Sequence, residues 1–303
     1  MVMRLTSIFR RALMGFTAVW AAPAMADKAL NMPVGVTELS IKIYHLHMLI
    51  FWVCVAIALV VFAAMIYSIV AFRKSRGAVA DTKLTHSTKV EIVWSSVPLI
   101  ILVLMAVPSA RTLIDIEDTR GSELLIKVTG YQWKWHYEYL DRGVSFFSTL
   151  ARSSNAARQL GSGIDPNTVP NYLLDVDNPL VVPAGTKVRL LLTSNDVIHA
   201  WWVPDFGMKK DAIPGFVNEL WFRVDEDRIG TYRGQCAELC GRDHGYMPIV
   251  VEVKSKVDFE AWLKAMQDET RQAAAPAANP AAATVQLPAP AEPASASTIA
   301  QTN

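Results

Sequence analysis

The stretch "NPLVVPAGTKVRLLLTSNDVIHAWWVP", residues 178–204, decides the fold of the larger part of this chain. A Pro-Ala-Gly turn and a polar segment divide its apolar, β-branched runs, so the pattern is strand, turn, strand, loop, strand. Similar runs lie on both sides, in "ELLIKVTGYQWKWHYEYL" (residues 123–140), "NELWFRV", "GTYRG" and "MPIVVEVK". Several short strands at this spacing predict an all-β sandwich or barrel.

The segments around these strands have different compositions. Residues 145–171 contain Ser, Asn, Gly and Pro with little periodicity, which predicts a long surface excursion. The amphipathic pattern that follows the last strand predicts a helix over residues 257–271, with Asp258 as its N-cap. Residues 272–303 are nearly all Ala, Pro, Ser and Thr, a composition that cannot bury a core and predicts a disordered tail.

The N-terminal third is apolar enough to enter a membrane. The chain has 303 residues, of which 52% are hydrophobic and only 19% are charged. Residues 43–72 and 92–110 contain no Asp, Glu, Lys or Arg, and each run is long enough to cross a bilayer. We therefore expect a transmembrane hairpin within residues 27–120. The net charge of +1 gives no sign of a nucleic-acid-binding surface.

Charged residues predict how the hairpin is oriented. Between Arg73 and Lys89 the connector has one acid, Asp81, and five bases, namely Arg73, Lys74, Arg76, Lys83 and Lys89. The positive-inside rule therefore places the connector in the cytoplasm and the domain after it outside. Residues 1–26 have a basic start, a short apolar run and an Ala-x-Ala end, which predicts a signal peptide cleaved before Asp27. That apolar run is too short to favour a retained membrane anchor.

A second stretch, "GQCAELCGRDHGYMP" (residues 234–248), carries candidate metal ligands. Cys236, Cys240, His244 and Met247 follow one another at spacings of four, four and three, which is also the spacing of one helix face. Two internal glycines and a following proline indicate a loop instead. Cysteine, histidine and methionine are ligands that suit copper. A disulfide between the cysteines is the alternative outside the cytoplasm, although it needs neither the histidine nor the methionine.

His199, in "NDVIHAWWVP", is the candidate for a further ligand from upstream. A lone histidine is more often structural, but blue-copper sites combine a Cys–His–Met loop with a distant histidine. One copper ion needs only one thiolate, and this loop offers two. Two bridging thiolates would hold two copper ions that share one unpaired electron, an arrangement that favours fast electron transfer.

The signal peptide, the hairpin and the β domain with its C-x3-C-x3-H-x2-M loop resemble subunit II of haem–copper cytochrome c oxidases, from about Asn31 to Trp262. The resemblance implies a two-helix transmembrane hairpin followed by an all-β cupredoxin (Greek-key) domain over residues 121–256. It also implies a bacterial inner-membrane protein that crosses the membrane twice. Both its N-terminus and its C-terminal domain would lie in the periplasm.

The same resemblance implies the ligands of a binuclear copper centre, CuA. One copper would take His199 and Met247, the other would take His244 and the backbone carbonyl of Glu238, and Cys236 and Cys240 would bridge both. The carboxylate of Glu238 would reach a magnesium ion shared with subunit I.

Other positions match the family one by one. Trp133 corresponds to the tryptophan that receives electrons from cytochrome c, although a tryptophan on a strand is usually a core residue. Glu91, which by itself reads as an acid among lipid headgroups, corresponds to the entrance of a proton pathway. Three acids match positions that attract the lysine-rich face of cytochrome c, namely Glu138, Asp177 and Asp196. The neighbouring "KWH" (residues 134–136) departs from the family pattern, and its lysine weakens attraction for a basic donor.

The function implied is that of a cytochrome c oxidase subunit, which accepts electrons from cytochrome c at CuA and passes them to the haems of subunit I. There oxygen is reduced to water, coupled to proton pumping. Subunit III and membrane lipid are the further partners. No C-x-x-C-H occurs in the sequence, so we expect no covalent haem c. The alternatives are a quinol oxidase subunit, a CuA subunit of a nitric oxide reductase or other haem–copper oxidase, and a non-enzymatic periplasmic copper-binding protein.

Overall fold

The computed structural model describes residues 31–77, 79 and 86–274. In this part of the chain two long helices precede a two-sheet β domain, and a further helix closes the domain. The predicted signal peptide (residues 1–26) and nearly all of the predicted tail lie outside the described residues. Both predictions therefore stay predictions.

The two long helices are α1 (Glu38–Ala71) and α2 (Thr88–Glu117), and both are long and apolar enough to cross a membrane. At about 1.5 Å per residue, the 34 residues of α1 span about 51 Å, well beyond the roughly 30 Å of a hydrocarbon core. Both helices are longer than the predicted 43–72 and 92–110. The predicted ranges end at charged residues. At the end next to the β domain, each helix continues by one or two turns that contain charged residues.

The first turn of α1 is part of the β domain. Thr37 caps the helix, and its hydroxyl donates a hydrogen bond to the carbonyl of Phe206 at 2.9 Å. Leu39 is fully buried in the hydrophobic core of the domain. Gly207 passes so close to Ser40 that a Cβ at position 207 would lie 2.8 Å from the Cα of Ser40. The helix therefore begins inside the domain that it anchors.

Ten strands in the described residues form two five-stranded sheets. The first sheet has the order β3-β2-β1-β5-β8, and the second has the order β4-β10-β9-β6-β7. The strands are β1 (Leu124–Tyr131), β2 (Lys134–Tyr139), β3 (Val144–Ser148), β4 (Leu180–Pro183), β5 (Val188–Ser194), β6 (His199–Val203), β7 (Met208–Ala212), β8 (Asn218–Phe222), β9 (Gly230–Cys236) and β10 (Pro248–Lys254).

The core lies between the two sheets. Alternate residues of β2 and β5 are buried, as expected for strands with one face on a core and one face towards solvent. Pairing is antiparallel except between β1 and β5 and between β4 and β10. The largest buried side chains are aromatic, namely Trp135, Trp201, Tyr137, Tyr139, Phe206 and Phe222. The prediction of two membrane-length helices with an all-β cupredoxin domain is confirmed.

The surface excursion predicted over residues 145–171 contains some regular structure. This range begins within β3, continues into the short helix α3 (Arg152–Ala157) and includes a 3-10 turn at Pro166–Thr168. Val144 and Ser148 at the ends of β3 are buried and Phe146 packs against Trp262, whereas Ser145 and Phe147 are exposed. Such a half-buried edge strand is hard to distinguish from a loop by composition.

The closing helix, α4 (Lys256–Ala274), begins earlier than predicted. Its N-cap is Ser255 and not Asp258, because the hydroxyl of Ser255 accepts a hydrogen bond from the backbone amide of Asp258 at 3.1 Å. Asp258 lies in the first turn, and its carboxylate accepts a hydrogen bond from the Ser255 hydroxyl at 2.6 Å. Phe259 and Leu263 then bury the apolar face of α4 against the β domain.

Leu39→Ala tests whether the start of α1 belongs to the domain. We expect the free energy of unfolding of the β domain to fall by about 2–5 kcal/mol, because a buried leucine leaves a cavity when truncated. Thermal unfolding of the full chain in detergent, followed by tryptophan fluorescence, measures the change. Leu59→Ala is the matched control, since Leu59 lies on the same helix with 67% of its surface exposed. Equal melting temperatures for both variants would contradict the assignment.

Candidate metal centre

The loop between β9 and β10 carries four of the predicted ligands. Cys236 is the last residue of β9, and the chain then turns through Cys240 and a 3-10 turn at His244–Tyr246 before Met247 leads into β10. Gly241 has φ of +113°, a conformation that favours glycine. The four residues therefore lie on a loop, as predicted, and not on one face of a continuous helix.

The pairing of β6 with β9 brings His199 to this loop. Trp201 lies opposite Cys236, and the amide of Ala237 donates to the carbonyl of Ala200 at 3.0 Å. His199, the first residue of β6, thereby places its Nδ1 atom 3.9 Å from the sulfur of Cys236. Two segments nearly forty residues apart meet at one sulfur atom.

The sulfur of Cys236 has two further neighbours among the predicted ligands. The backbone carbonyl oxygen of Glu238 is 3.3 Å away, and the sulfur of Cys240 is 3.8 Å away. The side chain of Glu238 is exposed, so the carbonyl of this residue faces the sulfur pair while its carboxylate faces outward.

The sulfur of Cys240 completes the cluster. It lies 3.5 Å from Nδ1 of His244 and 3.5 Å from the thioether sulfur of Met247. All six predicted ligands are therefore connected through two sulfur atoms. Sequence spacing alone could not establish this convergence. Every residue has a backbone carbonyl, so the residue type at position 238 does not mark its carbonyl as a ligand.

The cluster is closed to solvent on most sides. His199, Cys236, Cys240 and Met247 are all buried, and the ligand atoms of the first three lie within 4.8 Å of one another. Both cysteines are free thiols. Their sulfur atoms are far beyond the roughly 2.05 Å of a disulfide bond, so the structure does not support the disulfide alternative.

The donor atoms fit copper. Two thiol sulfurs, two imidazole nitrogens, a thioether sulfur and a carbonyl oxygen form a soft to borderline set. Zinc takes cysteine, histidine and carboxylate ligands, and a buried thioether is not among its usual partners. The buried Met247 beside the thiols therefore favours copper over zinc.

Charge effects in the cluster differ between the two cysteines. Burial disfavours the thiolate of Cys236, but hydrogen bonds from His199 and from backbone groups outweigh burial and lower its pKa to about 7. Burial and repulsion from Cys236 raise the pKa of Cys240 to about 12. Burial opposes the charged form of His199, yet hydrogen bonds to Cys236 and Asp196 hold its pKa above the ordinary 6.5. Without a metal, the pocket thus holds one thiolate more readily than two.

Asp196 and Gly130 fix the ring of His199. The carboxylate of Asp196 lies 2.9 Å from Nε2, which leaves Nδ1 to face Cys236, and it also accepts the backbone amide of Gln132 at 2.7 Å. A Cβ at position 130 would lie 2.8 Å from Cδ2 of the ring, so only glycine leaves room for it. The sequence signal for Gly130, a glycine inside a strand, is typical of a close approach, but the sequence analysis did not use it.

Trp133 lies against the same loop. Its indole nitrogen donates to the backbone carbonyl of Cys240 at 3.1 Å, and the side-chain amide of Gln132 donates to the same oxygen at 3.0 Å. A Cβ at Gly241 would come within 3.2 Å of the indole ring. The half-buried Trp133 thus joins the outer surface of the domain to a predicted ligand.

The remaining predicted site residues lie away from the cluster. Glu91 is in the first turn of α2, at the end of the hairpin remote from the β domain. Glu138 forms an ion pair with Lys127 at 2.8 Å on the outer face of the first sheet. Asp177 accepts hydrogen bonds from the amide and the hydroxyl of Thr149, at 2.7 and 2.8 Å.

Comparison with known proteins shows the family. Residues 124–254 match the model "Cytochrome C oxidase subunit II, periplasmic domain", and residues 25–112 match "Cytochrome C oxidase subunit II, transmembrane domain". The probable cytochrome c oxidase subunit 2 of Rickettsia conorii is 42% identical over 224 residues, which are 73% of this chain and 67% of that protein. The chain belongs to the cytochrome c oxidase subunit II family.

Other matches agree with this family. Cytochrome c oxidase subunit 2 of Cereibacter sphaeroides is 36% identical over 231 residues, which are 74% of this chain and 75% of that protein. The crystal structure of the periplasmic domain of subunit II of cytochrome oxidase from Bradyrhizobium japonicum is 38% identical, covering 50% of this chain and 98% of that one with a TM-score of 0.43. The two family models and the two membrane-length helices show that this chain is a two-pass membrane protein, and its curated relatives show that it is part of an oxidoreductase complex.

Gly130→Ala tests the packing around His199. The added methyl group displaces the imidazole, so we expect copper bound per subunit II chain to fall after dialysis against a chelator, while the domain stays folded. Copper counting and circular dichroism of the full-length protein measure the two quantities. Gly230→Ala is the control, because a Cβ there meets nothing closer than 3.7 Å. Full copper retention by Gly130→Ala would show that the ring does not depend on this glycine.

Copper binding should strengthen as pH rises, because both thiols lose protons to a metal. The thiol of Cys240 has a pKa of about 12, so copper binding displaces its proton at every working pH. The thiol of Cys236 has a pKa of about 7, so copper binding displaces its proton mainly below that pH. We expect log affinity to rise more steeply with pH below about 7 than above it. Chelator competition on the full-length chain measures this slope. We expect Cys236→Ser to make this steeper part shallower, since the protonated His199 still contributes to it, and a pH-independent affinity would contradict the thiol assignment.

Proposed function

We propose that this subunit II chain is the electron-accepting subunit of a bacterial cytochrome c oxidase. It receives single electrons from cytochrome c and passes them to the haems of subunit I, where oxygen is reduced to water and protons are pumped. The observation that carries the proposal is the buried pair of thiols, 3.8 Å apart and surrounded by imidazole, thioether and carbonyl donors.

The residues present would hold a binuclear CuA centre. The thiols of Cys236 and Cys240, the imidazoles of His199 and His244, the thioether of Met247 and the backbone carbonyl of Glu238 would hold it. Copper supplies one-electron redox chemistry when it is bound. Burial of the donor set excludes water from the site, and Asp196 holds one ligand in a single ring orientation.

Trp133 is proposed as the point where electrons enter the subunit. Its indole contacts the carbonyl of Cys240 on one side and approaches the surface on the other. This single side chain therefore spans the distance between an outside partner and the buried sulfur pair. A copper carrier has no need of such a contact, nor of two membrane-length helices.

The ends of the hairpin support the proposed orientation. The basic connector would lie in the cytoplasm, and the β domain, which holds the opposite ends of both helices, would lie in the periplasm. Glu91, half exposed at the connector end of α2, is then placed to feed protons to a partner. The exposed carboxylate of Glu238 is available to a magnesium ion at the boundary with subunit I. Lipid and subunits I and III would cover the exposed apolar surface of the helices.

Copper counting with electron paramagnetic resonance on the full-length protein tests the centre. We expect two copper ions per chain and hyperfine splitting from two equivalent nuclei. Cys236→Ser should lose this paired signal, because one bridging sulfur is gone. One copper ion with splitting from a single nucleus in the unaltered protein would contradict the proposal.

Trp133→Ala tests the route of electrons separately. We expect the paired-copper signal to remain and electron transfer from cytochrome c to slow by about tenfold or more, because contact with the loop is lost. Stopped-flow oxidation of cytochrome c by the assembled oxidase measures the rate. Trp202→Ala is the control, since this tryptophan is 38% exposed and makes no contact with Cys240 in the described residues. Undiminished transfer in Trp133→Ala would remove this residue from the route.

A further inference from the structure

The surface excursion over residues 145–171 is anchored to the β domain at its short helix, α3. The side chain of Ser154 on this helix is fully buried, and its hydroxyl accepts a hydrogen bond from the backbone amide of Leu173 at 3.1 Å. Ala157, the last residue of α3, is buried as well. The end of α3 therefore has a fixed position on the domain.

Arg158, directly after α3, reaches from the excursion to the loop that carries the predicted copper ligands. Its guanidinium carbon lies 4.2 Å from the centre of the Tyr246 ring, and its Nη2 atom lies 3.9 Å from the carboxylate of Asp243. Its Nε atom donates a hydrogen bond to the side-chain oxygen of Asn155 at 2.8 Å, which fixes the direction of the side chain. Only 23% of the Arg158 side chain is exposed. A planar guanidinium on an aromatic ring, partly shielded from water, stabilises the contact between the two segments.

The two residues that Arg158 contacts enclose a predicted ligand. His244 lies between Asp243 and Tyr246 in the 3-10 turn, and Met247 follows the turn directly. Gly245 has no side chain that could hold the turn, and a Cβ there would meet nothing within 4 Å. The position of the turn therefore depends on the side chains on either side of His244.

The two imidazoles of the cluster are held in different ways. The carboxylate of Asp196 lies 2.9 Å from Nε2 of His199 and fixes that ring. The Nδ1 atom of His244 faces the sulfur of Cys240, but its Nε2 atom has no hydrogen-bond partner within the part of the chain that the structure describes. The orientation of His244 thus depends on its turn, and hence on whatever holds that turn in place.

The contact between the excursion and the loop is made through few side chains. A cavity of about 210 Å³ lies between the two segments, and Arg158, Asp243 and Tyr246 are among the residues that line it. Arg242 also lies 3.4 Å from Asp243, but its side chain is 82% exposed and belongs to the loop itself. Arg242 therefore cannot tie the loop to the rest of the domain, whereas Arg158 can.

We propose, on the basis of the proposed function, that Arg158 is a positioning residue for the copper centre. By holding Asp243 and Tyr246, Arg158 ties the loop to the excursion and keeps the imidazole of His244 at the sulfur of Cys240. The excursion thereby serves as a clamp on the ligand that has no hydrogen-bonded carboxylate of its own.

Arg158→Ala tests the clamp in the full-length chain. We expect copper to leave for a chelator about three- to tenfold faster, because His244 is then free to turn away from the cluster. Arg152→Ala is the matched control, since this exposed arginine begins the same helix and has no ion pair or ring contact in the described residues. Copper release at the unaltered rate from Arg158→Ala would overturn the inference.

Nitrogen electron–nuclear double resonance distinguishes positioning from a general loss of stability. We expect Arg158→Ala to change the coupling of one imidazole and to leave the other unchanged, with a melting temperature equal to that of Arg152→Ala. Equal changes at both imidazoles would overturn the inference, and so would a lowered melting temperature with both couplings unchanged.

Tyr246→Leu removes the other side of the contact. We expect a similar acceleration of copper release, and we expect Arg158→Ala to add little to it, because residues that act through one contact are not additive. Tyr246→Phe is the control, since it keeps the aromatic ring and should release copper at the unaltered rate. Fully additive effects of Tyr246→Leu and Arg158→Ala would show that the two side chains act independently, against the inference.

The paired-copper signal of the unaltered chain separates two kinds of failure. Absence of the signal would refute the proposed function, and the clamp with it. Presence of the signal together with unaltered copper release from Arg158→Ala would refute the clamp alone.

Discussion

Two sulfur atoms held 3.8 Å apart in a buried pocket constrain the rest of the β domain. One of them ends a strand and the other lies in a loop, so the loop must turn back sharply, as the positive φ of Gly241 allows. The pairing of β6 with β9 then decides which histidine can reach them. The opposite sheet contributes Gly130 and Trp133, which close the pocket around His199 and the loop. The copper site therefore depends on contacts across both sheets.

Much of this arrangement could be predicted from the sequence, because its signals are local. Uncharged runs predicted the long helices, and β-branched and aromatic runs between turn residues predicted most strands. The spacing of Cys236 and Cys240 with two internal glycines predicted a metal-binding loop. What could not be predicted is non-local. The start of α1 inside the domain and the half-buried strand β3 depend on neighbours that no short window of sequence contains. The cap at Ser255 is a local contact with Asp258, and the prediction chose the wrong residue of that pair.

The acids show the same limit for the site itself. Asp196 was expected on a docking surface, yet its carboxylate binds the ring of His199. Glu138 and Asp177 are likewise engaged by side chains or backbone of this chain. A carboxylate in a sequence is only a charge, and its partners are known once the fold has brought them near. The docking role expected for these acids stays a prediction, and the fold adds the partners that each carboxylate has within the chain.

The buried first turn of α1 also has a mechanical consequence. Leu39 sits in the domain core, Glu38 bonds to the backbone of Arg223, and after α2 the ammonium of Lys187 binds the carbonyl of Asp118. Neither connection between the hairpin and the β domain is therefore a free hinge. Because the helices are held by the bilayer, the height and tilt of Trp133 above the membrane are fixed. Under the proposed function, an electron donor would therefore meet the indole of Trp133 in one fixed orientation.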